Sequence, residues 1–229
     1  MKLSSELSLV LLLQLVSPTL PVGAYSYSQG LESAIEAGIV HDAVDAEKWI
    51  GAALEYSVER MEAPSLLRLI ESWGAGDKVA VARWNDLFLA SRETAELRAE
   101  TLQMGYSLKR LLMELEGQDE KARTRLACVE EMAFPTAFAF AVAQWHIPAQ
   151  PALVAYVWAW LENQVMAAIK LVPLGQTDGQ RILLVLGERL SGVSERAATI
   201  ADDELGSFAP ALAIFSSRHV TQYSRLFRS

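Results

Sequence analysis

The stretch SPTLPVGAYSYSQGLE, Ser17–Glu32, lies between two runs of helical apolar periodicity and belongs to neither. Pro18 and Pro21 each remove a backbone donor and push the preceding residue out of helical geometry, while Gly23 allows a tight turn. A helix cannot run through it, so it reads as a junction. Tyr25, Ser26, Tyr27, Ser28 and Gln29 then place two phenols, two hydroxyls and an amide in five residues, far more than a helix cap needs. Two readings are open: a corner whose tyrosine rings pack inward, or a partner-binding loop held on a helical scaffold.

Reading outward from the junction, every segment has helical period. Leu3 to Val16 is apolar on all faces and must be covered on all faces, with Ser4 or Ser5 as its cap. After the junction, a helix over Ser26–Ala37 stops at Gly38, and Asp42 or Asp45 starts another that ends near Arg60, before Pro64. Pro64 to Trp73 and Lys78 to Ala90 follow, separated by Gly74–Gly76, with Asp77 as a cap. Thr94–Glu116 is amphipathic and stopped by Gly117; Asp119–Met132 is amphipathic too. Pro135–Trp145 is very apolar, and Pro151–Lys170 is the clearest core helix. RILLVL within Arg181–Leu190 would suit a buried strand, but no second strand exists to pair with it, so it reads as helix. Ser194 caps a helix to Leu205, and Pro210 opens one to Ser217. The expectation is an all-α, single-domain bundle of about ten helices spanning 1–229, followed within that span by a tail, RHVTQYSRLFRS, over 218–229.

At 229 residues the chain can bury roughly 70–75% of its unfolded surface, enough for one full core. Its hydrophobic fraction of 52% exceeds the usual share slightly, and surplus apolar surface points to a partner. A net charge of -8 argues against nucleic acid, which needs clustered Lys and Arg, and against anionic lipid. The lone Cys128 cannot form an internal disulfide, which fits a reducing compartment, and its apolar neighbours predict a buried, inert thiol. The N-terminus imitates a secretory leader, with Lys2, an apolar run over Leu7–Val16 and a small-residue triplet over Val22–Ala24. Glu6 and Gln14 oppose that reading, and a buried helix is expected instead. Ala133–Trp145 is too short to span a bilayer, so no membrane segment is expected.

Sequence motifs for chemistry are missing. There is no GxxxxGK[ST] loop for a nucleoside triphosphate. SYSQG has the spacing of a nucleophile elbow but carries Ser26 in place of the first Gly and follows no strand. His41, His146 and His219 are dispersed and form no metal-binding arrangement, and Cys128 has no CxxC partner. No catalytic or metal residue is nominated. Two other segments look made for recognition. Pro173–Ile182 (PLGQTDGQRI) reads as a loop carrying Gln176, Thr177, Asp178, Gln180 and Arg181, with Thr177 or Asp178 as a helix cap. The tail mixes Tyr223, Arg225, Leu226, Phe227 and Arg228, the composition of interface hot spots.

LQLVSPTLPVGAYSYSQGLE (Leu13–Glu32), Pro173–Leu183 and Arg218–Ser229, with weaker similarity over Arg92–Leu111, resemble the UreF family of urease accessory proteins. The tail departs from the common form in carrying Val220 where Glu is usual, which bears on any charge contact expected there. The resemblance implies an all-helical, cytoplasmic homodimer without catalytic activity. It implies a bridge between the nickel-carrying GTPase UreG and the urease-binding accessory protein UreD, also called UreH, with GTP-dependent nickel delivery to apo-urease. Nickel and GTP belong to the wider complex, and no cofactor is held stably by this chain. Tyr25, Ser26, Tyr27, Gln29 and Glu32 match the first motif and would form a partner-contacting corner. Lys170, Gln176 and Arg181 match the second region, and Tyr223, Arg225 and Arg228 the tail. On this pattern Glu32 and Lys170 would contact the GTPase, while Tyr25, Arg225 and Arg228 would order the tail and bind the UreD/UreH-type partner. The alternative from another class is a helical small-molecule enzyme with its site near Gln176 and Arg181.

Overall fold

The computed structural model describes residues 5–115 and 119–228. Among them there is helix and no strand, and RILLVL is helical as expected. In chain order the α-helices are α1 (Ser5–Leu15), α2 (Leu31–Glu36), α3 (Ala43–Ala53), α4 (Ala63–Ala75), α5 (Lys78–Ala90) and α6 (Ala95–Leu115). They continue with α7 (Glu120–Ala127), α8 (Phe134–Gln144), α9 (Ala149–Leu171), α10 (Gln176–Gly187), α11 (Leu190–Thr199) and α12 (Pro210–His219). Local chemistry explains many of the boundaries. The carboxylates of Asp42, Asp77 and Asp119 accept N–H groups of the first turns of α3, α5 and α7, and Gly76 ends α4 in left-handed geometry. Gly117 and the Leu3–Ser4 start of the first helix lie outside the described residues.

The centre is α8, whose residues Ala137–Val142 are fully shielded. It packs against α4 and α6, and the Trp73 indole N–H donates to the Thr136 carbonyl at 3.0 Å while its ring meets the edge of Phe140. On the other side α9 packs against α2, α3, α4, α10 and α11. Among the described residues, α9 is the one helix long and apolar enough to cross a membrane. Leu153, Val157, Leu161 and Val165 are instead buried in this core.

The structure corrects several boundaries. The helix expected to end near Arg60 runs through Pro64, because Leu54–Glu62 widens into a π segment that joins α3 to α4. Proline at 64 removes a donor and crowds the carbonyl four residues earlier. The widened segment makes room, and the carbonyls of Tyr56 and Arg60 accept N–H groups from Phe208 (2.9 Å) and Gly206 (3.3 Å). After the junction the helix starts at Leu31, not Ser26. Only a single 3-10 turn forms at Ala24–Ser26, and Gln29 and Gly30 have φ of +52° and +81°. Alanine at 30 would place its Cβ 2.8 Å from the Ser216 backbone N, so glycine permits α2 to touch the backbone of α12. Further on, α7 stops at Ala127, and Cys128 is exposed, not buried. Thr177 and Asp178 lie within the first turn of α10, which starts after Gly175 with no side-chain cap. Ser194 sits buried inside α11 and caps nothing. Finally, α1 is not a buried helix. Only Leu12 and Leu15 are buried, while Leu7, Leu9, Val10 and Leu13 are 46–59% exposed.

Candidate functional site: the junction and the seated tail

After α12 the chain turns through Thr221 and Gln222, whose N–H groups return to the carbonyls of Arg218 and His219. It then lies against the start of α2 and the junction. The Leu226 and Phe227 N–H groups donate to the two oxygens of Glu32 at 2.6 and 3.0 Å, and the Arg228 N–H donates to the Ser26 carbonyl at 2.8 Å. Phe227 is buried at 6% exposure with the Lys170 ammonium 5.6 Å from its ring centroid. The Arg225 guanidinium reaches Glu96 at 3.4 Å. Burial raises the Tyr27 phenol above its ordinary pKa, with the Glu100 charge adding to the rise and Arg228 opposing it.

Beneath the tail, the wholly buried His219 stands between two carboxylates. Its Nε2 is 3.0 Å from Glu32 Oε2 and its Nδ1 3.1 Å from Glu96 Oε2. A hydroxyl pair, Thr94–Ser216 at 2.8 Å, ties α12 to the start of α6 alongside it.

A cavity of about 350 Å³ opens between the junction, α6 and α9, at the lower end of the ligand-pocket range. Leu15, Val16, Leu20, Val22, Met104 and Phe134 supply much of its apolar lining. Among its polar groups, Gln29 donates to Glu100 at 2.7 Å and accepts from the Trp160 indole at 2.8 Å. The Tyr156 hydroxyl donates to Glu62 at 2.5 Å, and Glu62 also pairs with Arg92 at 3.4 Å. Burial, with the Glu62 charge beside it, holds the Tyr156 phenol well above its ordinary pKa. The π segment presents both Glu62 here and Glu59, which accepts a bidentate pair from Arg196 at 2.6 and 2.7 Å.

Of the residues singled out by sequence, Ser26, Tyr27, Glu32, Lys170, Arg225 and Arg228 come together at the seated tail. Tyr25, Gln29 and again Lys170 line the cavity. Tyr223 projects fully into solvent. Gln176 and Arg181 are exposed on α10, away from the cavity walls, and Arg181 pairs with Asp178 of its own helix at 2.9 Å. Sequence reasoning missed His219 and Glu96 beneath the tail, and Glu62, Arg92, Glu100, Tyr156 and Trp160 around the cavity. The one signal available was a proline, Pro64, inside an otherwise helical pattern two residues after Glu62. Among the described residues no group of three or more His, Cys, Asp and Glu is placed to hold a metal ion.

These features define an all-helical protein that seats its own C-terminal tail on a polar and aromatic corner and leaves an apolar N-terminal helix open. The model of the UreF family matches residues 40–187. The chain is 56% identical over 225 residues to the urease accessory protein UreF of Azoarcus sp. (strain BH72), covering 97% of this chain and 96% of that one. It is 50% identical to those of Dechloromonas aromatica, over 97% and 98% of the two chains, and of Methylobacillus flagellatus, over 99% and 100%. The chain belongs to the UreF family of urease accessory proteins. The family model stops short of both the junction and the tail, whereas the match to the Methylobacillus flagellatus protein covers 99% of this chain. These relatives are named as accessory proteins and not as enzymes, in keeping with the missing catalytic motifs.

Proposed function

We propose that this chain is a non-catalytic scaffold of urease maturation. It joins a nickel-carrying, UreG-type GTPase to a UreD/UreH-type accessory protein that holds apo-urease, so that nickel, the cargo, passes on in a GTP-dependent step. In this reading the chain works as a homodimer in the cytoplasm and keeps no cofactor of its own. The observation that supports it most is the seated tail, which turns Tyr223 and Leu226 outward; Tyr25 of the junction is exposed too. Rigid aromatic and aliphatic groups displayed on a hydrogen-bonded segment are pre-organised for a partner.

In this reading the exposed Lys170 meets the GTPase, and Glu32, buried beneath the tail, holds the tail in place. The test is size-exclusion chromatography with light scattering on the chain alone and with both partners. A chain ending at Gln222 is the right comparison, because it removes the projecting residues and keeps the buried His219. The full chain should elute as a dimer and form a stoichiometric complex, and the shortened one should lose the UreD/UreH-type partner. Lys170→Ala should weaken the GTPase by about 2 kcal/mol or more, roughly 30-fold, if it is a hot spot. A monomer that ignores both partners would overturn the proposal.

The cavity favours a second reading, a small-molecule site, at a different place from the exposed Gln176 and Arg181. Saturable binding of a small ligand by the isolated chain, lost on Met104→Trp, would favour it over a pure scaffold.

A further inference from the structure

We infer that the cavity between the junction, α6 and α9 is a site for a single-chain amphiphile with an anionic head, its carboxylate at Lys170 and its alkyl tail running inward along α9. The inference rests on the small-molecule reading of this cavity given above and names its ligand class.

Shape is the first ground. The α9 residues Tyr156, Ala159, Trp160, Asn163, Met166 and Lys170 all line the cavity, and their spacings of mostly three and four place them in one stripe along the helix. At 1.5 Å per residue that stripe is about 21 Å long. Leu97, Thr101 and Met104 form a shorter stripe on α6, and Leu15, Val16, Leu20 and Val22 supply a third wall from the end of α1 and the junction. A space walled by helix stripes is long and narrow, and it suits an extended chain better than a compact ring system. An apolar cavity of roughly 150 Å³ admits the six carbons of benzene, so about 350 Å³ has room for roughly fourteen.

The two ends differ. Tyr156 and Phe88 are buried at the inner end, whereas Met166 is 41% exposed and Lys170 is exposed at the other. The inner carboxylates are engaged by the chain itself, Glu62 by Tyr156 and Arg92, and Glu100 by Gln29. Neither is left to call for a ligand cation. Among the described residues no hydrogen bond or ion pair engages the Lys170 ammonium, which lies 5.6 Å from the Phe227 ring centroid. The other lining carboxylate of α9, Glu162, is eight residues away, about 12 Å along the helix and past the Debye length at physiological salt. Lys170 is thus an uncompensated cation at the open end of an apolar trough. An anionic head there keeps its hydration and gains the charge, while the tail leaves water for Met166, Met104 and Phe134. A cationic head would meet repulsion at the same place.

Nuclear magnetic resonance of the full chain, labelled at its methionine methyls, tests this with sodium dodecanoate below the concentration at which it forms micelles. Met104 and Met166 should shift together to saturation, while Met113 and Met132, which are not on the cavity walls, serve as references. Lys170→Gln should weaken dodecanoate about two- to fivefold, the factor of one partly solvated charge pair, and leave dodecanol unaffected. Dodecyltrimethylammonium, with the same tail and the opposite head, should bind more weakly than dodecanoate. Met104→Trp should abolish the Met166 shift; if that variant does not fold, the wild-type ligand series decides alone. Dodecyltrimethylammonium that binds as tightly as dodecanoate, a Lys170→Gln variant that binds dodecanoate as well as the wild type, or dodecanoate bound without a shift at Met104 would each overturn the inference. Naphthalene separates that failure from the failure of the reading beneath it. If naphthalene shifts Met104 and dodecanoate does not, the small-molecule site stands and its ligand class is wrong; if neither does, both fall.

Discussion

Glu32→Ala separates the two roles that this carboxylate could have, a contact for a partner or an anchor for the chain's own tail. In the structure it accepts from the amides of Leu226 and Phe227 and from the His219 ring. Hydrogen bonds to a charged acceptor contribute about 1.5–3 kcal/mol each, so the two tail bonds supply about 3–6 kcal/mol. Burying Phe227 adds about 1.5–3 kcal/mol, and the Arg228 amide about 0.5–1.5 kcal/mol. The Arg225–Glu96 pair, with Arg225 partly exposed, adds about 0–1 kcal/mol. Against these stands the ordering of the segment 223–228, about 1–2 kcal/mol per residue. The two sides lie within a few kcal/mol of one another, so losing Glu32 should tip the tail off. The seated population should drop at least about a hundredfold, by the rule of 1.4 kcal/mol per factor of ten. Hydrogen exchange read on a peptide covering 223–228 measures this directly: the two amides should move from protected to nearly free. If Glu32→Ala leaves them protected but abolishes binding of the UreG-type GTPase, the carboxylate is a partner contact and the reasoning above is wrong.

Three further outcomes follow from the geometry. Gly105→Ala should destabilise the fold by about 1–3 kcal/mol or more in chemical denaturation, because its Cβ would sit 2.0 Å from the Met132 carbonyl oxygen, a rigid backbone atom. Tyr156→Phe removes a buried donor to Glu62 and should cost about 1.5–3 kcal/mol. It should also flatten the alkaline limb of the stability curve. Burial and the Glu62 charge hold the Tyr156 phenol above its ordinary pKa of about 10, so its contribution is fully present below about pH 10 and is lost as pH climbs past it. Replacing Leu9 and Leu13 together by Glu should leave the melting temperature of the isolated chain nearly unchanged, within about 0.5 kcal/mol per site, since both are more than half exposed. Partner binding or self-association measured by light scattering should fall sharply if α1 is an interface.

What could be read from the sequence was what short-range chemistry decides. Asp77 and Asp119 each bond amides two and three residues on, so the starts of α5 and α7 were visible in the residue order. The passage of a helix through Pro64 was not, because it depends on N–H groups from Gly206 and Phe208, far along the chain. The same divide runs through the site. Ser26, Tyr27, Arg225 and Arg228 stood out by type, yet the pairing of Glu32 with His219 spans 187 positions and leaves no local trace. The all-round apolar pattern of α1 carried no information on which face is covered, and so the expectation of burial failed there. The cavity was equally invisible, since its walls come from the junction and from α1, the π segment, α5, α6, α8 and α9.

Local rules are broken where the chain's two ends meet. Gln29 adopts a positive φ, Gly30 is required by the backbone of α12, and two carboxylates converge on one buried imidazole. Strain and buried charge persist only where surrounding contacts over-determine them, and they are tolerated where they position something. Here they position a tail whose outward residues, Tyr223 and Leu226, gain nothing from being held in water. The adjoining N-terminal helix likewise leaves Leu7, Leu9, Val10 and Leu13 uncovered. A contact that buried these residues would recover the hydrophobic free energy that the isolated chain forgoes, about 25 cal/mol for each Å² removed from water. A partner of the proposed scaffold is therefore expected to cover these exposed residues of α1 and the tail, while the shielded α8 serves stability.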